Sequence, residues 1–483
     1  MKTPAFAIIG GVNKGKTSVV STLIEDDSLR ISRTPGETTK CQRFSVNIDG
    51  TEALCFFDTP GFQNERNMLA WLQAHASAQP AVAPMERLRE FCRVHENDPA
   101  FDAECRLLAP ILDGAGIIYV ADASYPLRAN HKAEMEILRM TAQPRMAVVN
   151  CTEPNPQHVE EWKAALQQNF NLVREFNAQR ATFASRIRLL QDLCLIEENW
   201  RRDLEKSVRA FQNDWQSRMA RCAEIIAELL FDCMTHFEVE NLTDEFHLDA
   251  TKDRLERKYH QKIGALENNA HNALRKIFKH DRFKIGNSTD EQLFADGLFS
   301  ERTWRMIGMS KWHLVGAGAA GGALAGSGVD ALLLGHTLGF GTMVGAALGG
   351  GAAYLGGEPL AKATRSKVKG ALWGLALPRT GEQLQVGPHR ALNFPWIVLN
   401  RALIACYRLA NWTHARREDF TLDPATIEHE VKERGILSAS WPRERTKQCE
   451  EVFAAIRFNK ATSEDSAKLR SAIEQVLRTI AEV

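Results

Sequence analysis

The residues best placed to do chemistry stand near the start of the chain. Gly10-Gly-Val-Asn-Lys-Gly15-Lys16-Thr17 satisfies the spacing G-x-x-x-x-G-K-S/T. Glycines let backbone N–H groups turn inward and cradle phosphates, and the start of a following helix adds partial positive charge. Lys16 would neutralise β- and γ-phosphates, and the Thr17 hydroxyl would ligate Mg²⁺. The candidate phosphate contacts are therefore Gly10, Asn13, Lys14, Gly15, Lys16, Thr17 and Ser18. About forty residues later an apolar run ends at Asp58, followed by Thr59-Pro60-Gly61. An acid there is placed to hold the Mg²⁺ shell, directly or through water, and the Gly61 N–H can meet the γ-phosphate. Between the two motifs lies Arg33-Thr-Pro-Gly-Glu-Thr38-Thr39-Lys40. Thr38 or Thr39 would sense the γ-phosphate through Mg²⁺, and the spacing to the next strand favours Thr39. Lys16, Thr39 and Gly61 are the candidate catalytic residues.

Short apolar runs alternating with helical patterns are what must position these groups. The runs are Ala5–Ile9, Phe44–Ile48, Ala53–Asp58, Gly116–Ala121, Met146–Asn150 and Asn171–Phe176. They predict an α/β domain with a mostly parallel sheet and helices on both faces. From Gly61 to Gly116 the pattern is polar and helical, and longer than such a domain needs. Residues 183–283 read as almost wholly helical. Apolar positions from Trp200 through Leu204, Val208, Phe211, Trp215, Met219, Cys222, Ile226 and Leu229 to Cys233 recur about every 3.7 residues. One long amphipathic helix is expected, packed on its neighbour near residues 250–280 or, in a second reading, on a coiled-coil partner.

Composition sets the class. The chain has 483 residues, 44% apolar and 25% charged, which fits several globular domains and excludes a disordered chain. Sixty Lys and Arg balance sixty Asp and Glu, which argues against a polybasic nucleic-acid coat. A mean hydropathy of −0.28 excludes a polytopic membrane protein. The ten cysteines include no C-x-x-C pair and no zinc-ligand spacing, so reduced core thiols in a cytosolic protein are expected. The first apolar run leads into the glycine motif and reads as a strand, not a signal peptide.

Residues 314–357 differ from everything else. They hold 15 of the 32 glycines and, apart from Asp330, no acid, lysine or arginine. Glycines recur four apart at Gly318, Gly322 and Gly326 and at Gly341, Gly345 and Gly349, a packing device of membrane helices. Leu314–Val329 is short for a span, whereas the 27 residues Ala331–Gly357 are long enough. Basic residues Arg302, Arg305 and Lys311 precede the block, and Lys362, Arg365, Lys367 and Lys369 follow it. Both ends then face the cytoplasm, which an even number of crossings or a re-entrant hairpin at Asp330 satisfies. A hairpin buried in protein fits the same pattern; membrane contact is the reading adopted.

The order G-x-x-N-x-G-K-T, P-G-x-T-T, D-T-P-G resembles the translation-factor-related GTPases of the Era, Der and TrmE group over the first 180 residues or so. The whole chain resembles proteobacterial GTPases that carry a C-terminal domain of unknown function. The resemblance implies GTP/GDP and Mg²⁺ as ligands. It also implies K⁺ held by Asn13, and slow turnover, because Phe62 stands where Ras-like enzymes place a water-positioning glutamine. The relatives' base-reading N-K-x-D is here Asn150-Cys151-Thr152-Glu153. Glu153 can still accept from the guanine N1–H and N2–H₂, and the Ala178 N–H would meet O6. GTP is preferred over ATP.

The expected domains are an Era-like GTPase domain over 1–182, a long-helix or coiled-coil region over 183–312, a hydrophobic hairpin over 313–358 and a helical domain over 359–483. The expected function is a GTP-hydrolysing switch, cytoplasmic and peripheral or hairpin-anchored at the inner membrane. Its expected partners are a membrane or membrane protein, and a second copy through the GTPase domain or long helices. A ribosome-assembly GTPase and a dynamin-like remodeller are the alternatives. No basic aromatic RNA-binding module is visible, so nucleic acid is not expected, although the ribosome stays open as a partner.

Overall fold

The computed structural model describes residues 3–11, 15–24, 41–48, 51–150, 157–178, 181–241, 248–278, 298–299, 364–367, 382–411 and 437–481. The chain forms two compact units, one running from Met1 to Gln216 and the other holding most of the remainder.

In the first unit β1 (Ala5–Ile9) leads to α1 (Lys16–Ile24), then β2 (Gln42–Ile48) and β3 (Thr51–Asp58). Three helices follow: α2 (Glu65–Ala78), α3 (Pro84–Val94) and α4 (Asp102–Leu112). They account for the long polar stretch before Gly116. Next come β4 (Gly116–Ala121), α5 (Ala129–Met140), β5 (Arg145–Val149), α6 (Val159–Gln167) and β6 (Leu172–Glu175). The sheet order is β2-β3-β1-β4-β5-β6, antiparallel only between β2 and β3. This is the α/β architecture the apolar runs predict.

Strands β1 and β4 are apolar throughout, and β5 is so after Arg145, because both faces of the sheet are covered. Side chains alternate across a strand, so each strand feeds two cores. Phe6, Ile8, Ile118, Val120 and Met146 join one, and Ala7, Ile9, Ile117, Tyr119 and Ala147 the other. The strand order reverses at β1, with β3 on one side and β4 on the other. Such a switch point opens a crevice at the carboxyl ends of the strands.

Helix α7 (Phe183–Leu193) starts at the Thr182 N-cap, whose hydroxyl accepts from the Ser185 N–H. Ile187, Leu190 and Leu193 enter the first core, each burial contributing roughly 1.5–3 kcal/mol. The first unit therefore runs past residue 182. Helix α8 (Glu198–Thr235) is the long helix the periodicity predicts. Leu204 and Val208 join the first core. Trp200 packs edge-on to Phe6 at 5.2 Å, and Trp215 stacks on Phe183 at 4.2 Å. From Met219 to Cys233 the stripe is buried in the second unit.

The second unit continues with β7 (Glu238–Asn241), α9 (Leu248–Ile277), β8 (Thr364–Lys367) and β9 (Glu382–Val386). Helices α10 (Phe394–Asn411), α11 (Arg443–Arg457) and α12 (Ser463–Ala481) complete it. Helices α7, α8 and α9 fill most of the stretch expected to be almost wholly helical over 183–283. Strand β7 interrupts it and pairs antiparallel with β9, Asn241 opposite Gln383. A four-residue strand whose partner lies 142 residues away leaves no local periodicity to read.

Helix α10 is buried on nearly every side. Its Arg401 meets Glu267 of α9 through two hydrogen bonds, one of 3.1 Å, with both side chains almost fully enclosed. Arg401→Met leaves the Glu267 charge unpaired and is expected to cost about 3–5 kcal/mol in urea denaturation. The double change with Glu267→Leu is expected to recover most of it, because the two side chains fail together.

The glycine-rich block 314–357 lies outside the described residues. Among the described residues no helix is long and apolar enough to cross a membrane. All nine described cysteines are free thiols.

Candidate nucleotide site

The site grows from the end of β1. Gly10 has a φ of 148°, and a Cβ there would lie 2.3 Å from the Val120 carbonyl oxygen. Gly15 has a φ of 85°, and its Cβ would meet the Asn150 Nδ2 at 2.4 Å. Only glycine fits either place. Helix α1 then begins at once, with the Val19 N–H donating to the Gly15 carbonyl at 2.9 Å, so its N-terminus faces the loop.

Lys16 is 7% exposed. Its Nζ donates to the Gly10 and Gly11 carbonyls at 3.0 and 2.9 Å. Burial lowers its pKa to about 8, against the pull of Asp58 and Glu134. An anion in the crevice would restore the charged form.

Asp58 ends β3 beside Ile8 and is 2% exposed. The Thr17 hydroxyl donates to its Oδ2 at 2.7 Å. Its Oδ1 is buried without a hydrogen-bond partner among the described residues. Burial raises its pKa, while Thr17 and Lys16 hold it down. A hydroxyl and a carboxylate are hard oxygen donors of the kind Mg²⁺ takes, and the unused Oδ1 is free to serve such a cation. The Thr59 hydroxyl donates to the Ile8 carbonyl at 2.6 Å and pins the turn. Gly61 and Phe62 are buried, Phe62 in the second core.

Asn150 follows β5, and its N–H donates to the Ala121 carbonyl at 2.7 Å. Its Oδ1 accepts from the Ala178 N–H at 3.2 Å. The Thr22 hydroxyl donates to the Ala178 carbonyl at 3.0 Å and ties that turn to α1. The Ala178 N–H expected to meet a base oxygen is thus bonded to Asn150 here. Ser18 is buried in the first turn of α1.

Gly10, Gly15, Lys16, Thr17, Ser18, Asp58, Asn150 and Ala178 therefore share the carboxyl end of the sheet. Asn13, Lys14, Thr38, Thr39 and Glu153 lie outside the described residues. Two further acids border the site without a sequence signal. Glu134 of α5 is buried and accepts from the Tyr119 hydroxyl at 2.6 Å, close enough to act on Lys16. Glu104 of α4 accepts from the backbone just after Phe62. Nothing in their spacing marks either, because each meets the site through packing alone.

Comparison with known proteins agrees with this geometry. Residues 5–150 match the family described as 50S ribosome-binding GTPase, and residues 163–481 match the domain of unknown function DUF3482. No curated protein matches the chain. Among solved structures, Era with MgGDPNP and a segment of 16S ribosomal RNA is 14% identical with a TM-score of 0.26. That match covers 58% of this chain and 90% of that one. A single-substitution variant of Aquifex aeolicus Era bound to GDP·AlF₄⁻ is 13% identical with a TM-score of 0.24, covering 58% of this chain and 90% of that one. A mutation variant of SsGBP is 15% identical with a TM-score of 0.25, covering 40% of this chain. The present chain spans just over half, 56%, of that SsGBP structure. The DUF3482 match extends over about two thirds of the sequence, so this chain belongs to the DUF3482 family, that domain preceded by a P-loop GTPase domain.

Proposed function

We propose that the chain is a GTP-binding and GTP-hydrolysing switch whose helical region carries the nucleotide-dependent change to a membrane or a membrane partner. The observation that carries the first half is the Thr17–Asp58 pair, 2.7 Å apart, with the buried Oδ1 of Asp58 unused, beside Lys16. In this reading the loop from Gly10 to Gly15, with Lys14 and Ser18, wraps the phosphates. Lys16 faces the β- and γ-phosphates, and Thr17 and Asp58 hold Mg²⁺, with Thr39 or Thr38 completing its shell. Bound Mg²⁺ supplies neutralisation of the phosphate charge. Asn150, Glu153 and Ala178 read the guanine, Ala178 after exchanging its bond to Asn150. Gly61 donates its N–H to the γ-phosphate. Phe62 offers no amide to orient water, so turnover is slow, and a K⁺ ion at Asn13 offsets transition-state charge.

The membrane half is supported by the composition of 314–357 and its basic flanks. A second reading, a GTPase acting at the ribosome, is supported by the family match of residues 5–150.

Hydrolysis by the full chain is expected to be about tenfold faster in KCl than in NaCl, and GTP is expected to outcompete ATP. Asn13→Ala should remove the K⁺ effect and leave GDP affinity within about twofold. Equal rates in the two salts would end the cation proposal. Carbonate-washed membranes and ribosome pellets then separate the two readings. Retention in washed membrane by the full chain, lost when 314–357 is deleted, supports the first; co-sedimentation with ribosomes by both forms supports the second.

A further inference from the structure

The helices between Gly61 and Gly116 form no part of the phosphate loop, yet one side chain reaches the backbone just after Gly61. Glu104, in the first turn of α4, is completely buried at 0% exposure. Its Oε1 accepts from the Gln63 N–H at 2.8 Å and the Asn64 N–H at 2.6 Å. These are the second and third residues after Gly61. Its Oε2 is buried with no hydrogen-bond partner among the described residues. Enclosing a carboxylate is costly, and the bonds that compensate it here are short and charge-assisted.

The same segment is held at other points. Thr59 is bonded to Ile8, and Phe62, 4% exposed, packs in a core with Met68, Leu72, Leu107 and Leu108. Helix α4 is itself braced, because Phe101 at its start lies edge-on to Phe91 of α3 at 5.0 Å. Residues 59–64 are therefore anchored at both ends and in the middle.

We propose that Glu104 is a positioning residue for hydrolysis, holding the backbone after Gly61 so that the Gly61 N–H is already aimed when a γ-phosphate arrives. The inference rests on the reading of the site as GTP-hydrolysing. It gives the helical insertion a task. With no glutamine at position 62, more of the catalysis falls to a fixed backbone donor, and preorganisation is what makes such a donor effective. Glu104 also sits at the N-terminus of α2, where Asn64 is the capping residue. A cap alone would stabilise the helix without touching the chemistry.

The test compares the full-length parent with Glu104→Ala and Glu104→Gln. Alanine removes the acceptor; glutamine keeps an oxygen at the same reach. Glu104→Ala is expected to lower kcat at least about tenfold while GDP Kd stays within about threefold, and Glu104→Gln to recover most of the rate. Amide exchange at Gln63 and Asn64, read without nucleotide, is expected to be slow in the parent and fast in Glu104→Ala. An unchanged kcat with a lower melting temperature would leave Glu104 a helix cap and overturn the proposal. GDP affinity falling in step with kcat would overturn it too. Should the alanine variant not fold, Glu104→Asp replaces it: one methylene short, it is expected to lose the rate that glutamine keeps, and equal rates in the two sink the idea. A parent that shows slow exchange at both amides but hydrolyses no GTP would refute the functional reading, not the brace.

Discussion

Asp58→Ala is expected to raise the Mg²⁺ concentration needed for half-maximal GTP hydrolysis by about 10–100-fold, with partial recovery at high Mg²⁺. The side chain is 2% exposed and tied to the Thr17 hydroxyl at 2.7 Å, so in the proposed site its removal would strip both one Mg²⁺ ligand and the group that orients a second. Its buried, unpartnered Oδ1 has no structural task among the described residues to confuse the result. A buried carboxylate costs stability when it lacks a cation. Asp58→Asn, which keeps the volume and loses the charge, should therefore melt no lower than the metal-free parent while showing the same raised Mg²⁺ requirement. A titration of hydrolysis against Mg²⁺ decides it, and an unchanged requirement removes Asp58 from the metal site.

The second large effect is at Lys16. Lys16→Ala is expected to weaken binding of a non-hydrolysable GTP analogue by about 3–4 kcal/mol, or 10²–10³-fold, because charge-assisted bonds to the β- and γ-phosphates disappear together. Fluorescent-nucleotide titration measures this directly. Lys16→Arg should not rescue it. The Nζ reaches two loop carbonyls from an enclosed position, and a planar guanidinium fork is larger and needs a different approach. The defect is not expected to come from unfolding. In the nucleotide-free protein burial disfavours the Lys16 charge and lowers its pKa to about 8, so removing the ammonium relieves a cost. A Lys16→Ala protein that binds that analogue as the parent does would overturn the placement of the phosphates.

What the sequence by itself determined is whatever depends on neighbours along the chain. The apolar runs marked β1 and β4 to the residue, Ala5–Ile9 and Gly116–Ala121, because a strand buried on both faces needs an unbroken run. The period of about 3.7 residues marked α8, whose stripe from Leu204 to Cys233 is buried apart from the partly buried Phe211. The places of Gly10, Gly15 and Lys16 were legible because a phosphate-binding motif sets glycines and a lysine at fixed offsets after a strand. Tertiary structure decided the rest, because contacts between distant segments leave no period. Asp58 falls beside Thr17 only through the β1–β3 register, which sets Ile8 against Asp58. Pairing of β7 with β9 joins segments 142 residues apart, and Arg401 meets Glu267 across 134. Glu104 reaches Gln63 and Asn64 from a helix forty residues on. Each is a polar group that must find a partner once buried, and which partner it finds is settled only when the cores around it close.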